Sequence, residues 1–271
     1  MGLDIVGIIT YDGPMSYFGG KGQDGVYQVI INQMPEHRVY IEPFLGGGSI
    51  MLRKKPAEKN IGLDLDRDAV EQFAIACRQK CREDLEVVSL DGIGFMAAGL
   101  FTPDTLIYCD PPYLHETRSC DRCRYNHELE KEDHIQLLGI ILRLPCMVMI
   151  SHYPNPLYDI ELAGWRSIDY QAVKRSGQVV TERLYMNYPE PLILHDDKYL
   201  GVSSASRQDI NRRIKRTVRR VMSWPTYERV KMLRELLEQI PEVEQACLGL
   251  DLQQADLPLL QTPVYRTGSS A

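Results

Sequence analysis

The stretch richest in chemistry is Asp110-Pro111-Pro112-Tyr113, which follows directly on the apolar run Thr105 to Cys109. Two consecutive prolines fix φ and lack N–H groups, so the backbone leaves that run rigid and extended, with the Pro111 carbonyl free to face a ligand. A carboxylate beside such a carbonyl is a pair of acceptors suited to an exocyclic –NH2, and the Tyr113 ring can stack on the heterocycle that carries it. These residue types in this order point to chemistry on the amino group of a base. Taken alone, the tetrapeptide also reads as a proline turn with a surface Asp and a packing Tyr.

A second element precedes it. Glu42-Pro43-Phe44-Leu45-Gly46-Gly47-Gly48-Ser49 follows a β-type run and is expected to lead into a helix. Three consecutive glycines let the backbone turn sharply and approach a ligand without Cβ atoms in the way. The Gly-Lys-Ser/Thr ending of a triphosphate loop is missing, so a nucleotide-like ligand without a triphosphate fits better. Asp64, at the end of the next candidate strand, stands where a Rossmann-type fold puts the carboxylate that binds ribose hydroxyls.

The elements that must position these residues follow from periodicity. Short apolar runs alternate with amphipathic stretches, the pattern of βαβ units and a mostly parallel sheet. The candidate strands are residues 39–41, 60–63, 86–88, 105–109 and 147–150. Residues 68–81 and 132–142 are the helices between them. A last β region covers 165–170 and 182–188, with Ser176-Gly177-Gln178 as its turn.

At 271 residues the chain has room for one large α/β domain, or for a core domain plus an appendage. With 44% hydrophobic and 25% charged residues it matches a soluble protein, and no apolar stretch is long enough for a membrane span. Met1-Gly2-Leu3-Asp4 shows no secretory signal, so the protein is expected inside a cell, and its seven cysteines are expected to be reduced.

The net charge of −6 argues at first against a polyanion, but it hides a split. Residues 1–200 hold 20 basic against 29 acidic side chains, whereas residues 205–235 hold 10 against 3. There Ile210, Ile214, Val218 and Val221 recur on one helical face, with Arg212, Arg213, Lys215, Arg216, Arg219 and Arg220 around the rest. A second helix is expected to start at Pro225, capped by Ser223, and to run to Ile240. The expected domains are thus 1–200 and a helical, partly basic appendage over 201–271. The basic face is either an ordinary solvated one or a phosphate contact through Arg212, Arg213, Arg216 and Arg220.

Ser16-Tyr17-Phe18-Gly19-Gly20-Lys21, Glu42 to Gly48 and Asp110 to Tyr113, in that order, resemble the Dam-type DNA adenine-N6 methyltransferases over roughly residues 14–190. The stretches His115 to His134, Ile150-Ser151-His152-Tyr153 and Glu182 to Tyr188 are similar to phage-type members. The resemblance implies a Rossmann-like class I methyltransferase fold with a mixed, mostly parallel sheet. It implies S-adenosylmethionine as cofactor, with Tyr17, Gly19 and Lys21 beside its methionine part and Glu42, Pro43, Phe44, Gly46 and Gly48 wrapping it. Asp64 would take the ribose hydroxyls and Asp91 would approach the cofactor's adenine amino group. Asp110, Pro111, Pro112 and Tyr113 fall on the family's catalytic motif without substitution, Asp110 lying against the cofactor as well.

The chain departs from the family in one respect: the interval from Gly48 to Asp110 is too short for the large target-recognition domain usual with this motif order. Recognition is therefore expected from the polar segment 114–134, through Arg118, Arg122, Arg124 and Tyr125, and from the basic appendage. Cys120-Asp121-Arg122-Cys123, with His115 and His127, has the spacing of half a zinc site. A closed site would need all four ligands from one short loop, so a reduced loop without metal, its arginines facing phosphate, is the stronger expectation. The expected partner is DNA and not a membrane. The protein is expected to be a monomer or weak dimer in the cytoplasm of a bacterium or phage-infected cell, near the nucleoid and in a restriction-modification setting. Adenine methylation in RNA, and a catalytically silent DNA-binding protein on the same fold, are the competing readings.

Overall fold

The computed structural model describes residues 21–79, 84–114, 128–174 and 177–239. Seven strands make one sheet: β1 (Val39–Glu42), β2 (Lys59–Asp64), β3 (Leu85–Ser89), β4 (Thr105–Cys109), β5 (Met147–His152), β6 (Arg166–Val173) and β7 (Val179–Met186). Their order is β3-β2-β1-β4-β5-β7-β6. The first five run parallel, and β7 is antiparallel to both β5 and β6. All five residues of β4 are buried, as its unbroken apolar run requires of a strand covered on both faces.

Side chains alternate between the two faces. Tyr40, Leu106, Tyr108 and Met149 pack with α1 (Val26–Ile31) and α2 (Arg67–Gln79), through Ile30 and Phe73. Ile41, Ile107, Cys109 and Val148 pack instead with α3 (Gly92–Ala98), α4 (Lys131–Ile141) and α5 (Pro156–Glu161), through Met96, Leu137 and Tyr158. The strand order reverses between β1 and β4. In such sheets the crevice at the carboxyl ends of the strands, where the order reverses, is where ligands bind. The chain therefore delivers Glu42, Asp64, Asp110 and Ser151 to one edge of the molecule, from the ends of β1, β2, β4 and β5.

Two local expectations are corrected. The helix expected after the glycine loop is a set of turns, with Leu52 N–H donating to the Gly48 carbonyl at 3.0 Å and Lys54 N–H to that of Ile50 at 3.0 Å. Pro56 follows within two residues and forbids further helix. Beyond the sheet, α6 (Ser204–Met222) and α7 (Thr226–Gln239) form as the periodicity implies. Ser223, however, ends α6 rather than capping α7: its hydroxyl donates to the Arg220 carbonyl at 2.7 Å. The chain divides into two compact units between Arg216 and Thr217.

Candidate active site

The glycine loop is docked onto the end of β2. Leu45 N–H donates to the Leu63 carbonyl at 2.8 Å, and Gly46 N–H donates to Asp64 Oδ2 at 2.7 Å. Asp64 Oδ1 accepts from Asp66 N–H at 2.9 Å. Gly46 and Gly48 take positive φ, 48° and 56°, and a Cβ on Gly48 would lie 2.0 Å from Phe73 Cε2. The sharp turn and the close contact with α2 thus both depend on glycine. Pro43 packs against the first residue of α3, where a Cβ on Gly92 would meet the Pro43 carbonyl oxygen at 2.2 Å. Asp91 caps that helix, accepting from Ile93 N–H and Gly94 N–H at 3.0 Å each.

Glu42, at the end of β1, is 3% exposed. Burial pushes its carboxyl up to about 8, against a hydrogen bond from Tyr40 and the charge of Lys54. The Tyr40 hydroxyl donates to Glu42 Oε1 at 2.8 Å.

Asp110 lies one residue past β4. Lys21 Nζ donates to its Oδ1 at 2.7 Å, and the Ser151 hydroxyl donates to the same oxygen at 2.8 Å. Ser151 is itself in contact with the Tyr108 hydroxyl at 3.1 Å. Burial raises the Asp110 carboxyl; Lys21 opposes this, Glu182 adds to it, and the Lys21 and Ser151 hydrogen bonds oppose it again. Among the described residues no donor reaches Oδ2 of Asp110 or the Pro111 carbonyl. One oxygen of the carboxylate is clamped, and the other is left as an acceptor.

Tyr113 is buried rather than presented to solvent. Its hydroxyl accepts from Lys21 Nζ at 2.7 Å and donates to Glu182 Oε2 at 3.1 Å. Its ring lies 4.8 Å from that of His152 and 4.7 Å, edge-on, from that of Tyr153. His152 fastens the end of this loop: its Nε2 accepts from Leu114 N–H at 3.0 Å, which leaves Nδ1–H to donate to the Tyr153 carbonyl at 2.8 Å. The His152 ring stacks on Tyr158 at 4.2 Å, so its orientation is set by the core. Beside the loop opens a cavity of about 660 Å³, lined among others by Leu114, Tyr153, Lys131, Lys174 and Asn155. Lys174 Nζ stands 5.3 Å from the Tyr153 ring centroid.

The resemblance implies Lys21, Glu42, Asp64 and Asp110 as residues of one site; in the structure Glu42 and Asp64 end β1 and β2, and Asp110 follows β4. The structure sets Lys21 against Asp110. Tyr17, Gly19, Arg118, Arg122, Arg124 and Tyr125, and the cysteines Cys120 and Cys123, lie outside the described residues. Among the described residues no group of histidine, cysteine or acidic side chains could hold a metal ion. Arg212, Arg213, Arg216 and Arg220 are exposed on α6. Residue spacing alone does not single out Ser151 or Glu182 as site residues. Ser151 lies at the carboxyl end of β5, beside β4 at the switch point, a position worth searching in any such sheet. Glu182 sits within β7 and carries no comparable signal.

Five parallel strands, an antiparallel β7 inserted beside β5, helices on both faces and a glycine turn after β1 make this the Rossmann-like fold of class I methyltransferases. Among solved structures the chain is similar to a dimethyladenosine transferase from Plasmodium falciparum, at 14% identity over 59% of this chain and 60% of that one, with a TM-score of 0.41. It is similar to an rRNA methylase from Streptococcus thermophilus at 12% identity over 60% and 94%, TM-score 0.41. It is also similar to a precorrin 8W decarboxylase from Methanobacterium thermoautotrophicum at 10% identity over 64% and 94%, TM-score 0.42. No protein-family model and no curated protein matches the chain.

Proposed function

We propose that the protein is an S-adenosylmethionine-dependent methyltransferase acting on the N6 amino group of adenine in DNA. The observation that carries this reading is the acceptor pair at the switch point: Asp110 with Oδ1 held by Lys21 and Ser151, and the Pro111 carbonyl one residue on. The cofactor fits the chain's donors. The loop from Glu42 to Gly48 turns on two left-handed glycines without side chains, the Asp64 carboxylate stands at the end of β2, and no lysine and hydroxyl wait for a triphosphate. When bound there, it supplies an electrophilic methyl on a sulfonium.

The residues of the chain do the rest. An aromatic amino nitrogen is a weak nucleophile because its lone pair is delocalised into the ring. If Asp110 Oδ2 and the Pro111 carbonyl accept its two N–H bonds, the nitrogen pyramidalises and turns its lone pair away from the acceptors, and the reaction becomes a positioned displacement. An adenine within a duplex cannot reach this edge, so it must be flipped out. The cavity beside Leu114, with the half-buried Tyr153 ring and two lysines on its walls, supports an anionic, aromatic substrate. The exposed arginines of α6 support phosphate contact.

The test is Asp110→Ala: methyl transfer to DNA from labelled cofactor should be lost, while calorimetric affinity for S-adenosylmethionine stays within about threefold of wild type. Near wild-type turnover in that variant would overturn the mechanism. Equimolar DNA and RNA of one sequence in the same assay assign the substrate, and label in RNA alone would overturn the choice of DNA.

A further inference from the structure

We infer that Glu182 is a positioning residue for the transfer step, acting through Lys21 on the Asp110 carboxylate. The inference rests on the methyl-transfer reading of the same site. Glu182 reaches the cluster from β7, remote in sequence from both partners, and is 7% exposed. Its Oε2 accepts from the Tyr170 hydroxyl at 2.8 Å and from the Tyr113 hydroxyl at 3.1 Å, and lies 3.5 Å from Lys21 Nζ. Lys21 thus stands between two carboxylates, 2.7 Å from Asp110 and 3.5 Å from Glu182.

Glu182 sets a second carboxylate beside Lys21, so that the Lys21 cation is shared between two acceptors rather than held by Asp110 alone. Glu42, also facing the cluster, is pushed up to about 8 by burial and is faced in turn by Lys54. Tyr108, Tyr113 and Tyr170 are held well above their usual range by burial and stay neutral, and His152 Nε2 accepts from Leu114 N–H. During transfer the N–C bond forms as the C–S bond breaks, the electron pair leaves with sulfur, and the positive charge passes to the amino nitrogen until a proton departs to water. Negative charge on Asp110 that Lys21 does not fully cancel stabilises that nitrogen.

Glu182→Gln tests this, because it keeps the size and an acceptor oxygen for both tyrosines while removing the charge. The affinity for S-adenosylmethionine should stay within about twofold and kcat should fall about tenfold or more. The acid limb of the kcat profile should move to lower pH, since Asp110 no longer faces a second carboxylate. Glu182→Asp should restore part of kcat. A carbon-13 carboxyl titration of Asp110, without cofactor or DNA, reads the same coupling independently of turnover: it should shift down in Glu182→Gln and up in Lys21→Gln. An acid limb and an Asp110 titration both unmoved in Glu182→Gln overturn the inference, whatever happens to kcat. If the titration moves as expected but wild-type protein transfers no methyl group, the coupling stands and the assigned reaction falls.

Discussion

Among the described residues only one oxygen of Asp110 is left open as an acceptor, and the side chains that take the other define the site. Lys21 and Ser151 converge on Oδ1 from ahead of α1 and from β5. Removing the Ser151 hydroxyl takes away a hydrogen bond that holds the Asp110 carboxyl down against burial. Ser151→Ala should therefore move the acid limb of the pH–rate profile to higher pH, with kcat lowered by about tenfold, and a profile measured from pH 5 to 9 checks it. An unshifted limb would mean that Ser151 merely packs. Asp110 and Pro111 were legible in the sequence because two prolines after an apolar run leave few conformations for the chain. Ser151 and Glu182 were not, because their roles come from strand order: β7 returns antiparallel beside β5, and only that topology carries a β7 carboxylate to within 3.5 Å of Lys21.

At the scale of elements, the loop after β1 stands on two glycines in the left-handed region and on contact with α2. Gly48→Ala should cost about 2 kcal/mol or more, because the backbone is strained for any side chain and the new methyl meets a ring packed in the core. Thermal unfolding would show it as a lowered Tm, together with weakened cofactor binding. The strands were readable from their apolar runs to within a few residues, since β1, β4 and β5 are buried on both faces. The set of turns after Gly48 was not, because a short apolar stretch reads alike as turn or helix. The short helices α1, α3 and α5 escaped for the same reason, their six or seven residues being too few to show a period. In α6, Arg212, Arg213, Arg216 and Arg220 are exposed along with Ile214, Val218 and Met222. Replacing those four arginines by glutamine should flatten the salt dependence of DNA binding, the logarithmic slope falling by about one for each phosphate no longer neutralised. A slope equal to that of wild type would remove α6 from the DNA-binding account.

For the molecule as a whole, the segment after the sheet is fastened back onto the start of the fold by two histidines. His37 and His195 stack at 3.8 Å, His195 N–H donates to the Met34 carbonyl at 3.0 Å, and Pro35 bridges to Leu194. Burial and the nearby Lys54 bring His37 down to about 2 and His195 down to about 4. Both are neutral in the folded protein, whereas in the unfolded chain they take up protons near pH 6.5. Their stabilising contribution is therefore complete above about pH 6.5 and is lost as pH falls towards 4 and below. Tm should fall steadily from pH 7 to pH 4.5, and His37→Phe, which keeps a ring in the stack, should show a shallower fall. Equal slopes would assign the acid sensitivity elsewhere. Nucleoside mass spectrometry probes the acceptor pair at Asp110 and Pro111. Unmethylated DNA is incubated with the protein and S-adenosylmethionine, then digested to nucleosides. N6-methyldeoxyadenosine should accumulate with wild-type protein and be absent with Asp110→Ala; methyl groups confined to cytosine, or no methylated base at all, would contradict the account.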